Sequence, residues 1–254
     1  MADLAFLWHM HQPDYRHPDS GEFLLPWVFL HAIKDYTDMA AHLERHPHIR
    51  CTVNFVPVLL DQIEDYADQF ATGQWRDPLL RIAATPDPTK LRQADRDWLL
   101  DMAFRCHAPT MLEPFAHYRR LRDLLTFVRA HDGNGLNYLS GHYLADLATW
   151  YLLAWSGESL RRSGKIVPQL MAKGDGFTPA DRQALLAELG AAVGDLIPRY
   201  RALADSGRVE LSCTPGTHPL APLLIDFNAA REAWPECPLP AAPEYPGGRS
   251  QVEA

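Results

Sequence analysis

Residues 4–8 (LAFLW) form an unbroken apolar run that leads straight into His9, His11, Gln12 and Pro13. The run is apolar on both alternating faces, which fits a strand buried on both sides in a parallel sheet. Residues two apart on a strand share a face, so His9 and His11 point the same way. Pro13 has no N–H to donate and ends the ladder. The stretch therefore predicts the first strand of a parallel α/β fold. It delivers two imidazoles and an amide at its C-terminal end, where such folds bind ligands.

The chain that follows repeats this rhythm and then abandons it. Residues 14–22 are polar and turn-rich, and residues 23–30 are apolar around Pro26 and Trp27. From His31, the residues Ala32, Ile33, Tyr36, Met39, Ala40 and Leu43 fall at helical spacing, and His46-Pro47 ends the helix. Residues 49–55 (IRCTVNF) read as a second strand that again closes on a polar residue and a proline, Asn54 and Pro57. A helix begins at residue 58. Between residues 74 and 135 no strand pattern is found. Helices are expected at 91–107 and 115–131, the latter closed by the turn HDGNG, and at 141–155. This reads as a mainly helical insertion over about residues 74–155. Residues 156–177 read as a polar, glycine-bearing loop. Thr178, Pro179 and Asp181 then supply a cap, a first-turn proline and an acidic first turn. The helix they open runs to about residue 205, kinks at Pro198 and stops at Ser206-Gly207. RVELSCT (208–214) is the third strand, and beyond Pro222 the chain is proline-rich. Three strands are fewer than the roughly seven or eight of a closed barrel. The expectation is an α/β chain that stops before its fold is complete.

Composition narrows the partners. With 24 Lys and Arg against 32 Asp and Glu, the net charge of −8 argues against an electrostatic grip on nucleic acid or an anionic membrane. The first apolar run lacks a basic lead and is too short for a signal segment or a membrane span, so a cytoplasmic protein is expected. None of Cys51, Cys106, Cys213 and Cys237 forms a CxxC pair, and Cys51 and Cys213 in the strand runs read as small buried thiols. GxGxxG, the Walker A loop, GxSxG and HExxH are absent. No cofactor is expected.

Three places could carry chemistry. His9 and His11 on one strand face could share a metal ion, could hydrogen-bond hydroxyls together with Gln12, or could be packed. For His9 packing is the better fit; for His11, at the strand end, it is ligand binding. Glu210 alternates with Val209 and Leu211 and shares a face with Ser212; a mid-strand carboxylate there points into a cavity or, on an edge strand, into solvent. His218, in the loop Thr214-Pro-Gly-Thr217-His218-Pro219 after the third strand, and Asn54, at the end of the second, are placed where ligands bind. Trp27 adds a flat apolar platform of the kind sugars stack on.

WHMHQPDY, LPWVFLHAIKDY, CTVNFVPVLLDQIEDY, DLATWYLLAW and GRVELSCTPGTHPLAPLL, taken in order, resemble the N-terminal part of glycoside hydrolase family 57. The resemblance implies an incomplete TIM-type barrel of seven βα units, with the chain as the N-terminal portion of one catalytic domain. It implies retaining hydrolysis or glycosyl transfer on α-glucans, with no metal. It makes His11 of HQP a substrate contact and places Glu210 in the sugar site. The family's nucleophile and acid/base glutamate and aspartate belong to later motifs. Trp234-Pro235-Glu236 echoes the nucleophile motif but comes too soon and lies in a proline-rich loop. The expected chain is thus the substrate wall of an α-glucan enzyme and not catalytic alone, whether as a truncated gene product, a fragment, or one part of a split enzyme that a C-terminal polypeptide complements. Two other readings stand beside it: a non-catalytic carbohydrate-binding or regulatory module, and a zinc-dependent polysaccharide deacetylase with metal on His9 or His11.

Overall fold

A computed structural model of the chain describes residues 4–131, 135–242 and 244–253. Strands β1 (Leu7–Met10), β2 (Cys51–Phe55) and β3 (Val209–Cys213) form one parallel sheet in the order β1-β2-β3. The register aligns Met10 with Phe55 and Cys213, and His9 with Asn54 and Ser212. Period-two alternation therefore sorts the sheet into two unlike faces. Met10, Cys51, Val53, Phe55 and Val209 lie on one and are at most 8% exposed. Leu7, His9, Thr52, Asn54, Glu210 and Ser212 lie on the other, where Leu7 is 65% exposed and His9, Glu210 and Ser212 are also exposed. Crossover helices ordinarily bury both faces of a parallel sheet. Here they cover one.

That asymmetry corrects the expected first strand. β1 begins only at Leu7, and Leu4, Phe6 and Leu7 are exposed. An apolar run reads as doubly buried only when something lies on both sides. Cys213 aligns with Phe55 on the covered face yet is exposed, as Leu211 is, because β3 is an edge strand that the helices cover only at Val209, whereas Cys51, in the central strand, is buried.

Helix α1 (Trp27–His31) starts four residues earlier than the periodicity predicts, with Pro26 as its N-cap. A π-helical stretch (Ala32–Tyr36) joins it to α2 (Thr37–Arg45). After β2, α3 (Pro57–Thr72) opens on a proline and ends at Gly73, whose φ of 70° is the left-handed cap glycine adopts without strain. The strand-free region then holds α4 (Pro78–Ala84), α5 (Gln93–Met102), α6 (Ala108–Met111), α7 (Ala116–His131) and α8 (Gly141–Trp155). Of the HDGNG turn expected after α7, residues 132–134 lie outside the described residues. From Tyr143 onward every α8 residue except Asp146 is buried. A helix apolar all round belongs in the centre of a helical layer, and α8 packs against α1, α4, α5 and α7.

Residues 156–177, read as a loop, contain α9 (Glu158–Ser163) and α10 (Ile166–Lys173). Their N-terminal N–H groups are capped from far along the chain, which local sequence cannot show. Asp38 accepts from the Glu158 and Ser159 N–H, both at 2.8 Å. Glu188 accepts from the N–H of Lys165, Ile166 and Val167 at 2.6–3.1 Å. Asp146 holds Gly176 and Phe177 in the same way at 2.9–3.0 Å. Replacing Glu188 with alanine leaves three N–H groups at a helix start without their acceptor. The expected loss is about 2 kcal/mol of stability, read as a lower urea midpoint at unchanged slope.

Thr178 and Asp181 cap each other reciprocally at the start of α11 (Pro179–Gly194), as their spacing predicts. The long helix does not kink at Pro198 but breaks ahead of it, at Asp195, before α12 (Leu196–Asp205). Proline's ring crowds the carbonyl four residues earlier, here Gly194, and it offers no N–H to it. α12 returns the chain to β3, with the Tyr200 ring edge-on to Phe55 at 5.1 Å on the sheet's buried face. Short helices α13 (Ala221–Ile225), α14 (Ala230–Ala233) and α15 (Gly248–Glu253) follow, and Trp234 and Glu236 are exposed beside them. Among the described residues no helix is long and apolar enough to cross a membrane.

Candidate functional site

Because the three strands are parallel, their C-terminal ends gather on one edge of the sheet. His11 follows β1, Asn54 lies near the end of β2, and the loop carrying His218 follows β3. The Val58 N–H donates to Gly216 O at 3.0 Å, tying that loop to the start of α3. His218 itself has φ of 57°, a left-handed conformation that a non-glycine residue adopts at a cost.

The outcome is a triangle of imidazoles. Ring centroids are 5.9 Å apart for His9 and His11, 4.8 Å for His9 and His218, and 5.1 Å for His11 and His218. His11 and His218 are stacked, while His218 meets His9 edge-on. A polar row fixes the base of the triangle. Asn54 Nδ2 donates to Ser212 Oγ at 2.9 Å, and Asn54 Oδ1 is 2.8 Å from His9 Nδ1. An amide oxygen only accepts, so His9 Nδ1 carries the proton and Nε2 is the acceptor of the neutral ring. The sequence's packed reading of His9 is thereby corrected: the ring is exposed and oriented by Asn54.

Desolvation, then the neighbouring His218 and His9 rings, hold the His11 imidazole below its ordinary value. His11 is therefore neutral at pH 7, with one ring nitrogen donating and the other accepting. That pairing suits hydroxyl groups, which do both. The described residues contain no group of three His, Cys, Asp or Glu side chains placed to hold a metal ion.

Glu210 shares the open face, aligned with Thr52. It is exposed and makes no hydrogen bond or ion pair with the described residues. The expectation that it points into an enclosed cavity is corrected to the edge-strand alternative. Among the described residues no strand lies beyond β3 to wall that side.

Gln12 belongs to the rim between this face and a groove beside it. Tyr15 Oη donates to Gln12 Oε1 at 2.8 Å, and Gln12 Nε2 donates to Tyr36 Oη at 3.4 Å. The buried Gln62 holds the chain behind it, accepting from the Tyr15 N–H and donating to Pro13 O, both at 3.0 Å. The groove has a volume of about 550 Å³ and is lined by Gln12, Trp27, His31, Lys34, Arg105, His107 and Trp155, among others. Trp27 thus stands apart from the imidazoles. Sequence reading passed over the groove's far wall: Trp155 has the pattern of a core residue in α8, and Arg105 and His107 fall in what reads as helix. A larger cavity, about 640 Å³ between α3, α4 and α11, shares no lining residue with this groove.

An oriented imidazole set at the C-terminal edge of a parallel sheet, beside a groove with aromatic and polar walls, is suited to a polyhydroxylated ligand. No curated protein and no solved structure matches the chain. The family model described as glycosyl hydrolase family 57 matches residues 5–252, which cover the HQP segment, Asn54, Glu210 and His218 together. The chain belongs to glycosyl hydrolase family 57.

Proposed function

We propose that this chain is the substrate-binding part of a retaining enzyme that acts on α-glucans by hydrolysis or glycosyl transfer. The imidazole triangle carries the reading. His9, His11 and His218 come from two strands' ends, face one opening, and in neutral form offer the mixed donor and acceptor set that glucose hydroxyls need. Gln12 adds an amide whose geometry Tyr15 and Tyr36 fix.

The chemistry itself needs more than this face holds. Retaining cleavage takes two carboxyl groups about 5–5.5 Å apart across the scissile bond, one as nucleophile and one as acid and base. On the open sheet face Glu210 is the one carboxylate among the strand residues. It therefore serves as a hydroxyl acceptor lining the sugar site rather than as half of a catalytic pair. A complementing polypeptide packed on the uncovered face, against the exposed Leu7 and the β3 edge, would bring the second and third carboxylates to it.

The test is turnover. The purified chain is expected to release no reducing ends from soluble starch or maltoheptaose. Sustained release that disappears in Glu210→Gln would contradict the assignment and make Glu210 catalytic.

A further inference from the structure

Helix α3 starts directly after the central strand, and its first two turns hold both of the loops that carry the imidazoles. The Val58 N–H donates to Gly216 O at 3.0 Å, in the loop that bears His218. One turn further on, Gln62 reaches the other loop, and it is 0% exposed. Its Nε2 donates to Pro13 O and to Val58 O, and its Oε1 accepts from the Tyr15 N–H, each at 3.0 Å. A peptide carbonyl only accepts and a peptide N–H only donates, so the Gln62 amide has one allowed orientation.

A polar side chain in the interior costs stability unless it is paired. Leucine or methionine would fill the same space without that requirement. What the amide supplies is a hold on the turn that follows His11 and Gln12. Residues 11–15 lie beyond the end of β1, so ladder bonds do not set their course. Gln62 fixes the turn at Pro13 and Tyr15, and the Leu24 N–H closes its far side by donating to Tyr15 O at 2.8 Å. The turn so held brings Tyr15 Oη to Gln12 Oε1 at 2.8 Å, while Gln12 Nε2 faces the Tyr36 hydroxyl at 3.4 Å.

We infer that Gln62 is a positioning residue for sugar binding. It does not touch the ligand. It acts through the Pro13–Tyr15 turn and the Tyr15 hydroxyl to set the Gln12 amide in the orientation that a glucose hydroxyl meets. This inference rests on the α-glucan reading of the open face.

A double-mutant cycle separates positioning from a general contribution to the fold, because residues that act through one another are not additive. Maltotriose is titrated calorimetrically into the full chain, and urea unfolding checks that each variant is folded. Gln62→Met keeps the volume but cannot hold the turn, and its affinity is expected to fall about fivefold, the effect of one hydrogen-bonding group out of place. Gln12→Ala is expected to lose about as much, and adding Gln62→Met to it is expected to lose nothing more. Wild-type affinity in Gln62→Met, or a loss that adds in full to that of Gln12→Ala, would overturn the proposal. A loss in His11→Ala in the same titrations would leave the imidazole site standing. If Gln62→Met does not fold, Tyr15→Phe takes its place in the cycle, since it cuts the link from the held turn to Gln12. A loss that vanishes in the Gln12→Ala background then upholds the route, and no loss overturns it. Absence of maltotriose binding by wild type would overturn the sugar reading together with this one.

Discussion

Replacing Asp77 with alanine is expected to cost about 3–5 kcal/mol of stability, a large share of what holds a domain folded. Asp77 is fully buried. Its Oδ2 accepts from the Tyr66 hydroxyl, in the interior, and its Oδ1 accepts from the Leu79 N–H at 2.7 Å as the N-cap of α4. Its own N–H and that of Arg76 are held by Gln69 Oε1 at 3.0 and 2.8 Å. One carboxylate thus joins α3 to α4, and alanine leaves a buried hydroxyl and a helix-start N–H without acceptors.

The same residue gives the fold a measurable pH dependence. Burial pushes the Asp77 carboxyl up to about 6, against the opposing pull of the Tyr66 hydroxyl and the Leu79 and Leu80 N–H groups. The folded state therefore holds this proton at pH values where the unfolded chain has released it. Stability is greatest below the unfolded value of 3.8 as far as this group is concerned, falls as pH rises toward about 6, and is flat above. The change across that window is about 3 kcal/mol. Asp14, Asp35, Asp95 and Asp181, held low by their partners, act in the opposite sense and below that window. Urea unfolding at pH 4.5 and at pH 7 reads the slope. Asp77→Asn, which keeps an acceptor but cannot ionise, is expected to lose it. An identical slope in the variant would assign the effect elsewhere.

His11→Ala is expected to weaken maltooligosaccharide binding by about tenfold or more, the effect of one or two hydrogen bonds lost with the ring's contacts. A pH effect accompanies it. His11 is held below its ordinary value, so it stays neutral at pH 7 and gains a proton only on acidification. Protonation removes the acceptor nitrogen of the His11 ring. Affinity is therefore expected to fall on acidification, beginning below the ordinary histidine value of 6.5 from which His11 is lowered, and to recover on return to neutrality.

The sequence is most informative where local rules suffice. The three parallel strands, the Thr178 cap, the α8 boundaries and the placing of His11, Asn54 and His218 at strand ends all follow from periodicity, turn chemistry and the polarity of parallel sheets. It is least informative where a distant residue decides. Asp38 and Glu188 turn a glycine-bearing loop into α9 and α10 from more than twenty residues away. The orientation of His9 depends on Asn54, 45 residues on. Trp155 has the pattern of a core residue because it is one; that its ring also lines a groove depends on α1 lying opposite. Glu210 follows the same logic in reverse. Its alternation is legible, but whether the face it occupies is enclosed depends on what lies beyond β3.

Histidine-ring NMR during titration with maltotriose reaches the imidazole face directly. If that face takes the glucan, the ring resonances of His9, His11 and His218 shift together and saturate with the binding curve, while those of exposed histidines away from it, such as His46 and His48, stay in place. Binding that leaves all three rings unperturbed, or no binding at all, would contradict the assignment of this face as the sugar site.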